Sequence, residues 1–89
     1  MAHALFQHKV SDYGKWRSAF DDAIKMRRDA GEVSSRVFRI ADDPNNIVVF
    51  QEWESLDKIR KFSQSPGLQE AMQQADVLEQ PDVYFPKEA

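Results

Sequence analysis

Histidine is the residue of this chain best suited to acid–base chemistry, because its unperturbed pKa lies close to neutral pH. His3 lies among the first residues, which are commonly frayed in proteins, whereas His8 lies inside an alternating segment where Phe6, His8 and Val10 share one face. We therefore take His8 as the candidate general acid or base of a pocket. The alternative is a buried histidine whose hydrogen bonds are satisfied by a neighbouring carbonyl or carboxylate.

A second candidate group follows later in the chain, where Glu52 precedes Trp53 in an otherwise apolar segment. A half-buried carboxylate beside His8 would complete an acid–base pair. The alternative is an ion pair between Glu52 and Arg36 or Arg39 across a hairpin. The two arginines are themselves candidates for holding a carboxylate ligand, or for a solvated strand face.

Aromatic side chains supply the candidate ligand-binding surface. Trp16 and Trp53 could stack on an aromatic ligand, and Tyr13 and Tyr84 could donate a hydrogen bond to its carbonyl group. The alternative for all four is core packing, since aromatic residues dominate small cores by area. The residues we assign to the pocket walls are Trp53, Phe20, Phe62 and Met72.

Composition excludes several other kinds of chemistry. The chain has no cysteine, so thiol catalysis and thiolate metal sites are excluded, and two histidines are too few for a His-rich zinc site. The three glycines are isolated and form no phosphate-binding loop. We therefore expect no metal and no cofactor, and any chemistry must come from a dry pocket with one or two polar groups.

Length and charge indicate the setting in which the protein works. Eighty-nine residues predict one domain over 1–89. The net charge of −3 comes from interspersed charges, which argues against a nucleic-acid partner. No apolar run is long enough to cross a membrane, and the N-terminus does not resemble a secretion signal. Together with the lack of cysteine, this favours a cytoplasmic protein.

The pattern of apolar residues predicts the elements that position these side chains. Residues 4–10 alternate as a strand, and Ser11 or Asp12 then caps a helix that ends at Gly31. Residues 34–41 and 47–54 predict two strands of an antiparallel hairpin with a turn over 42–46, the second strand being central because it is apolar on both faces. The inward stripe of the first helix consists of Tyr13, Trp16, Phe20, Ile24 and Arg27.

The remaining residues predict a pair of helices and a last strand. Ser55 caps a helix with Leu56, Ile59 and Phe62 inward, Ser65 and Pro66 begin another that carries Met72, and 83–85 form the strand. The order is that of the ferredoxin-like βαββαβ fold, an α+β fold in which helices cover one face of a four-stranded antiparallel sheet. Apolar residues on the other face predict a second copy of the chain there, as a homodimer.

Several short motifs resemble the dimeric α/β-barrel superfamily, whose members include antibiotic-biosynthesis-monooxygenase-like, stress-responsive barrel and polyketide-cyclase-like proteins. The resemblance covers nearly the whole chain in element order. It rests on Val10-Ser11-Asp12-Tyr13 with Trp16, Phe38-Arg39, Glu52-Trp53-Glu54-Ser55, and Phe62 with Ser65 and Pro66.

The resemblance implies a homodimer whose two sheets face each other as a barrel, with a pocket in each subunit between sheet and helices. Some members oxidise or cyclise aromatic polyketides there without metal or flavin, and others degrade haem. Haem-degrading members use an Asn on the first strand, a Trp and a helix His. Trp53 matches the Trp, but the first strand has no Asn and Phe62 stands where many members have His.

Three hypotheses follow. The first is a cofactor-independent monooxygenase or cyclase acting on a small aromatic molecule, with His8 as acid or base. The second is a dimer that binds a small ligand without turnover, in a stress-related role. The third is a structural module whose only partner is itself, with the interior filled by aromatic side chains.

Overall fold

The computed structural model describes residues 1–65, 82–87 and 89. The helix predicted to start at Pro66, and Met72 with it, lie outside these ranges. The elements, in chain order, are β1 (Ala2–Lys9), α1 (Tyr13–Asp22), α2 (Ile24–Ala30), β2 (Glu32–Ile40), β3 (Asp43–Trp53), α3 (Leu56–Ser63) and β4 (Asp82–Tyr84).

The described strands form one antiparallel sheet in the order β2-β3-β1-β4. The predicted α+β, ferredoxin-like fold is confirmed. β3 lies between β2 and β1, as its run of apolar residues on both faces predicted. His8 on β1 is paired with Ile47 on β3, so the register of these two strands decides which side chains surround it.

The hairpin between β2 and β3 is tighter than predicted. The turn expected over 42–46 is wrong, because β3 already begins at Asp43, which pairs with Ile40. Only Ala41 and Asp42 remain outside the strands, with a register shift between Arg39 and Ile40. The turn-forming residues of this segment lie at the exposed end of the hairpin, where they can belong to a strand without being buried.

The first helix is broken where the sequence predicted a continuous stripe. Asp12 caps α1 by accepting a hydrogen bond from the backbone N–H of Lys15 (3.2 Å), as expected. The chain then leaves helical geometry at Ala23 (φ −86°, ψ 6°) before α2 begins. The predicted inward position of Ile24 is wrong, since its side chain is 47% exposed. Gly31, with φ 121°, ends α2 as predicted.

Strand alternation gives the sheet two different faces. The helix-facing side carries two clusters of buried apolar residues: one is Val10, Trp16, Ile47 and Val49, and the other is Ala4, Trp53 and Ile59. No described helix packs on the opposite side, which we call the open face. Side chains on the open face include Leu5, Arg36, Phe38, Val48, Phe50 and Glu52.

Candidate functional site

His8 is buried on the helix-facing side of β1, with 4% of its surface exposed. Its ring packs edge-on against Phe6 and Trp16, with centroid distances of 5.3 and 5.7 Å. Neither Nδ1 nor Nε2 has a hydrogen-bond partner within the described ranges. The described ranges therefore contain no carbonyl or carboxylate that forms a hydrogen bond with His8, as the alternative of a core histidine with satisfied hydrogen bonds requires.

Burial also decides the protonation state of His8. Desolvation lowers the pKa of the imidazole from 6.5 to about 4, because apolar surroundings disfavour the charged form. At neutral pH the ring is thus neutral and offers one N–H donor and one acceptor nitrogen. His8 can accept a proton or bind a polar group of a ligand, but it holds no proton to donate as an imidazolium.

An aromatic row on α1 lies beside His8. Tyr13, Trp16 and Phe20 follow at spacings of three and four, so they share one helix face. Trp16 stacks on Phe20 at 4.9 Å with an angle of 21° between the rings, and Tyr13 lies 6.1 Å from Trp16. Tyr13 and Phe20 therefore reach the surroundings of His8 through Trp16, for which the sequence left open both ligand stacking and core packing.

Trp53 lies in the other cluster. Its side chain is 1% exposed, packs against Phe62 at 5.2 Å, and donates from Nε1 to Oε1 of Gln51 (3.3 Å). Trp53 is six residues along β3 from the strand partner of His8, which corresponds to about 20 Å at ~3.4 Å per residue. The structure does not bring Trp53 and Phe62 together with His8, and it encloses Trp53 as a core residue.

Glu52 belongs to the open face. It is half-buried and lies directly opposite His3 on β1, while His8 and Trp53 point to the helices. The acid–base pair of Glu52 with His8 suggested by the sequence is not formed, because successive residues of a strand alternate between faces and the register puts these two on opposite sides.

The two arginines proposed as partners of Glu52 also lie on different faces. Arg39 lies on the helix-facing side, with its guanidinium carbon 3.9 Å from the centroid of the Tyr13 ring and its Nε donating to the carbonyl of Pro44 (2.9 Å). Arg36 shares the open face with Glu52, opposite Phe50, but the structure records no ion pair between them.

A buried polar network that the sequence reasoning missed connects the two clusters. Oε2 of Glu32 accepts from Nε of Arg27 (2.9 Å) and from Nε2 of Gln51 (2.7 Å), and its Oε1 accepts from Nε of Arg28 (3.2 Å). Gln51 in turn accepts from Trp53. Burial lowers the pKa of Arg27, and the carboxylate of Glu32 opposes this effect.

The sequence indicated two of the residues of this network. Gln51 alternates with Val49 and Trp53 and so had to share their inward face. Arg27 fell on the predicted apolar stripe of the first helix, where a charge requires a partner. Nothing local indicated that Glu32, just after the glycine that ends α2, would be this partner.

Comparison with known proteins identifies the family. The family model of antibiotic biosynthesis monooxygenases matches residues 1–74, and the chain belongs to this family. The search of the curated proteins found no match. Among the described residues, none of the helices has the length and apolar character needed to span a membrane.

Solved structures share the fold. A putative antibiotic biosynthesis monooxygenase from Bordetella bronchiseptica superimposes with a TM-score of 0.84 at 18% identity, covering 99% of this chain and 96% of that one. SnoaB, a cofactor-independent oxygenase from Streptomyces nogalater, gives 0.76 at 16% identity, covering 99% and 94%. Rv0793 from Mycobacterium tuberculosis gives 0.72 at 17% identity, covering 100% and 96%.

Proposed function

We propose that this protein is a cofactor-independent monooxygenase that acts on a small aromatic molecule, with His8 as the residue that binds and deprotonates the substrate. The observation that carries the proposal is the buried imidazole of His8, whose two nitrogens have no partner within the described ranges. The family assignment and the likeness to SnoaB supply the reaction class.

The surroundings of His8 favour an uncharged aromatic substrate. A buried polar group without a partner costs about 1–3 kcal/mol, so a ligand hydroxyl or carbonyl that bonds the imidazole relieves this cost. Phe6 and Trp16 present ring edges and faces to the imidazole and suit a flat aromatic molecule. Tyr13 and Phe20 extend this aromatic surface along α1.

The chemistry assigns a definite task to His8. When no cofactor takes part, the substrate itself must supply the electrons that reduce molecular oxygen. For a methylene flanked by aromatic rings, both C–H bonds break and the O–O bond breaks; one oxygen atom becomes the carbonyl of the product, and the other leaves as water with the two hydrogens. Loss of the first proton produces a carbanion that is readily oxidised. The neutral His8 accepts this proton, and the resulting imidazolium remains as the counter-ion of the carbanion.

The test is turnover with a matched control. The purified protein is incubated with hydroxylated polycyclic compounds and anthrone-type methylenes, and oxygen uptake and product mass are measured, with oxygen-18 gas to trace the incorporated atom. We expect one labelled atom per product. His8→Ala should abolish turnover and retain the fold. His3→Ala changes the second histidine, which stacks on Phe50 on the open face, and should retain turnover. Equal turnover by the wild type and His8→Ala contradicts the role of His8.

Two other outcomes would indicate the alternative functions. Recovery of a bound aromatic compound without chemical change would favour a small-ligand-binding dimer. Failure of every compound to raise the unfolding midpoint would favour a self-associating structural module, since any ligand that binds only the folded state must stabilise it. The stacked Trp16 and Phe20 would then be hydrophobic-core residues that leave no room for a ligand.

We also propose that the protein is a homodimer formed through the open face. Phe38 is 52% exposed, and Leu5, Val48 and Phe50 extend the apolar surface across three strands. Such a contiguous apolar patch favours an interface, and a two-fold dimer is the commonest arrangement. Sedimentation equilibrium should give twice the chain mass at micromolar concentration, and a monomer there contradicts the proposal.

A further inference from the structure

The open face combines apolar residues with a few charges, one of which is paired within the described part of the chain. Lys9 pairs with Asp43 at 3.4 Å. Arg36 and Glu52 have no ion-pair partner among the described residues. One is a cation and the other an acid, and they lie on the adjacent strands β2 and β3.

The register of the hairpin places the two charges diagonally across β2 and β3. Arg36 lies opposite Phe50, and Glu52 lies opposite Ser34, so the two charges are one row apart. Long side chains can span such a diagonal, which is about 7–8 Å at the backbone, yet the structure records no ion pair between these two. Arg36 is exposed and Glu52 is half-buried, so water reaches both groups.

A second copy of the chain on this face would remove that water. Glu52 lies on a central strand and is already half-buried, so an apolar cover would leave its carboxylate without solvation or a partner. Such an uncompensated charge opposes association strongly. A stable dimer must therefore bring a cation to Glu52.

We propose that Arg36 of each protomer pairs with the partner's Glu52, which rests on the homodimer proposed above. A two-fold interface is self-complementary. If residue A of one protomer contacts residue B of its partner, then residue B of the first protomer also contacts residue A of the partner. Arg36 and Glu52, which have no ion-pair partner among the described residues, thus form two equivalent ion pairs across the interface. These pairs set the orientation of the two sheets and restrict pairing to chains that carry both charges.

Asp82 is the competing acid on this face, because it lies opposite Gln7 on β1. It is exposed and belongs to the edge strand β4, so its carboxylate keeps its water at the rim of an interface. A rim charge contributes little to affinity. We therefore assign the partner of Arg36 to Glu52.

The experiment uses charge reversal in the full chain. Arg36→Glu alone places acids against acids at both symmetric positions, and Glu52→Arg alone places cations against cations. Each should raise the homodimer dissociation constant at least tenfold in analytical ultracentrifugation. Arg17→Glu reverses an exposed charge on α1 and is the matched control, which should leave dimerisation unchanged.

Mixing the variants gives the sharpest result. Arg36→Glu mixed with Glu52→Arg restores opposite charges at both positions, so native mass spectrometry should find mainly the heterodimer, and the double variant should recover the homodimer. Homodimers of both single variants as tight as the wild type, with statistical mixing, would overturn the pairing and leave the dimer standing. Heterodimers of Arg36→Glu with Asp82→Arg in place of Glu52→Arg would overturn the choice of acid. A monomeric wild type would refute the proposed dimer itself.

Discussion

The guanidinium carbon of Arg27 lies 3.7 Å from the centroid of the Phe20 ring, and its Nη1 donates to the Phe20 carbonyl. The same side chain donates to the buried carboxylate of Glu32. Through Gln51 this contact reaches Trp53 in the second cluster. The aromatic row beside His8 is therefore held by a polar network as well as by apolar packing.

We expect Arg27→Ala to destabilise the protein by about 3–5 kcal/mol, because removal of one partner from a buried ion pair leaves the other charge uncompensated. Arg28→Ala, which removes a half-exposed partner of the same Glu32, should cost at most about 1 kcal/mol. Urea unfolding measures both. Equal losses for the two variants would show that the buried contact has no special importance.

Part of this network could be predicted from the sequence and part could not. Alternation along β3 placed Gln51 on the inward face beside Trp53, and helical spacing placed Arg27 on the inward stripe. The break at Ala23 was not predicted, because alanine has a high helix propensity. The contact of Arg27 with Glu32, on the far side of Gly31, was not predicted either. Local patterns predict faces well and say little about such contacts between elements.

The same limit applies to the candidate site. The prediction that Phe6, His8 and Val10 share one face was correct, and the structure shows that this face meets the helices. The pairing of His8 with Glu52 was not formed, because alternation along β3 puts Glu52 on the face opposite Trp53. A strand that is apolar on both faces does not show which of them meets the helices, so this assignment needed the register that the structure supplies. The ferredoxin-like fold class was predicted from the order of the elements, and the central position of β3 from its apolar run.

The buried His8 should make stability depend on pH. Its folded pKa of about 4 lies below the unfolded value of 6.5, so the unfolded chain binds the proton more readily between these values. The contribution of His8 is fully present above pH 6.5 and is lost as pH falls towards 4, by about 2–3 kcal/mol. His8→Phe should remove this slope from the stability profile and His3→Ala should retain it. Parallel profiles for the wild type and His8→Phe would contradict the depressed pKa.

Gly31 should resist substitution. Its φ of 121° is unfavourable for other residues, and an added Cβ would lie 2.6 Å from Cδ of Lys58 on α3. We expect Gly31→Ala to lower the free energy of unfolding by about 1–3 kcal/mol. Gly14→Ala is the control, because an added Cβ there meets only an oxygen of Asp12 at 3.3 Å. An unchanged Gly31→Ala midpoint in thermal unfolding would mean that the backbone at this position relaxes without cost.

The binding role of His8 can be observed directly, because the chain contains only two histidines. In protein labelled with nitrogen-15 at histidine, the ring nitrogens of His8 should report a neutral imidazole at neutral pH. Titration with an aromatic compound that the protein oxidises should shift the His8 signals and leave those of His3 in place. An oxidised compound that leaves the His8 signals unmoved, or an imidazolium at neutral pH, would contradict the account.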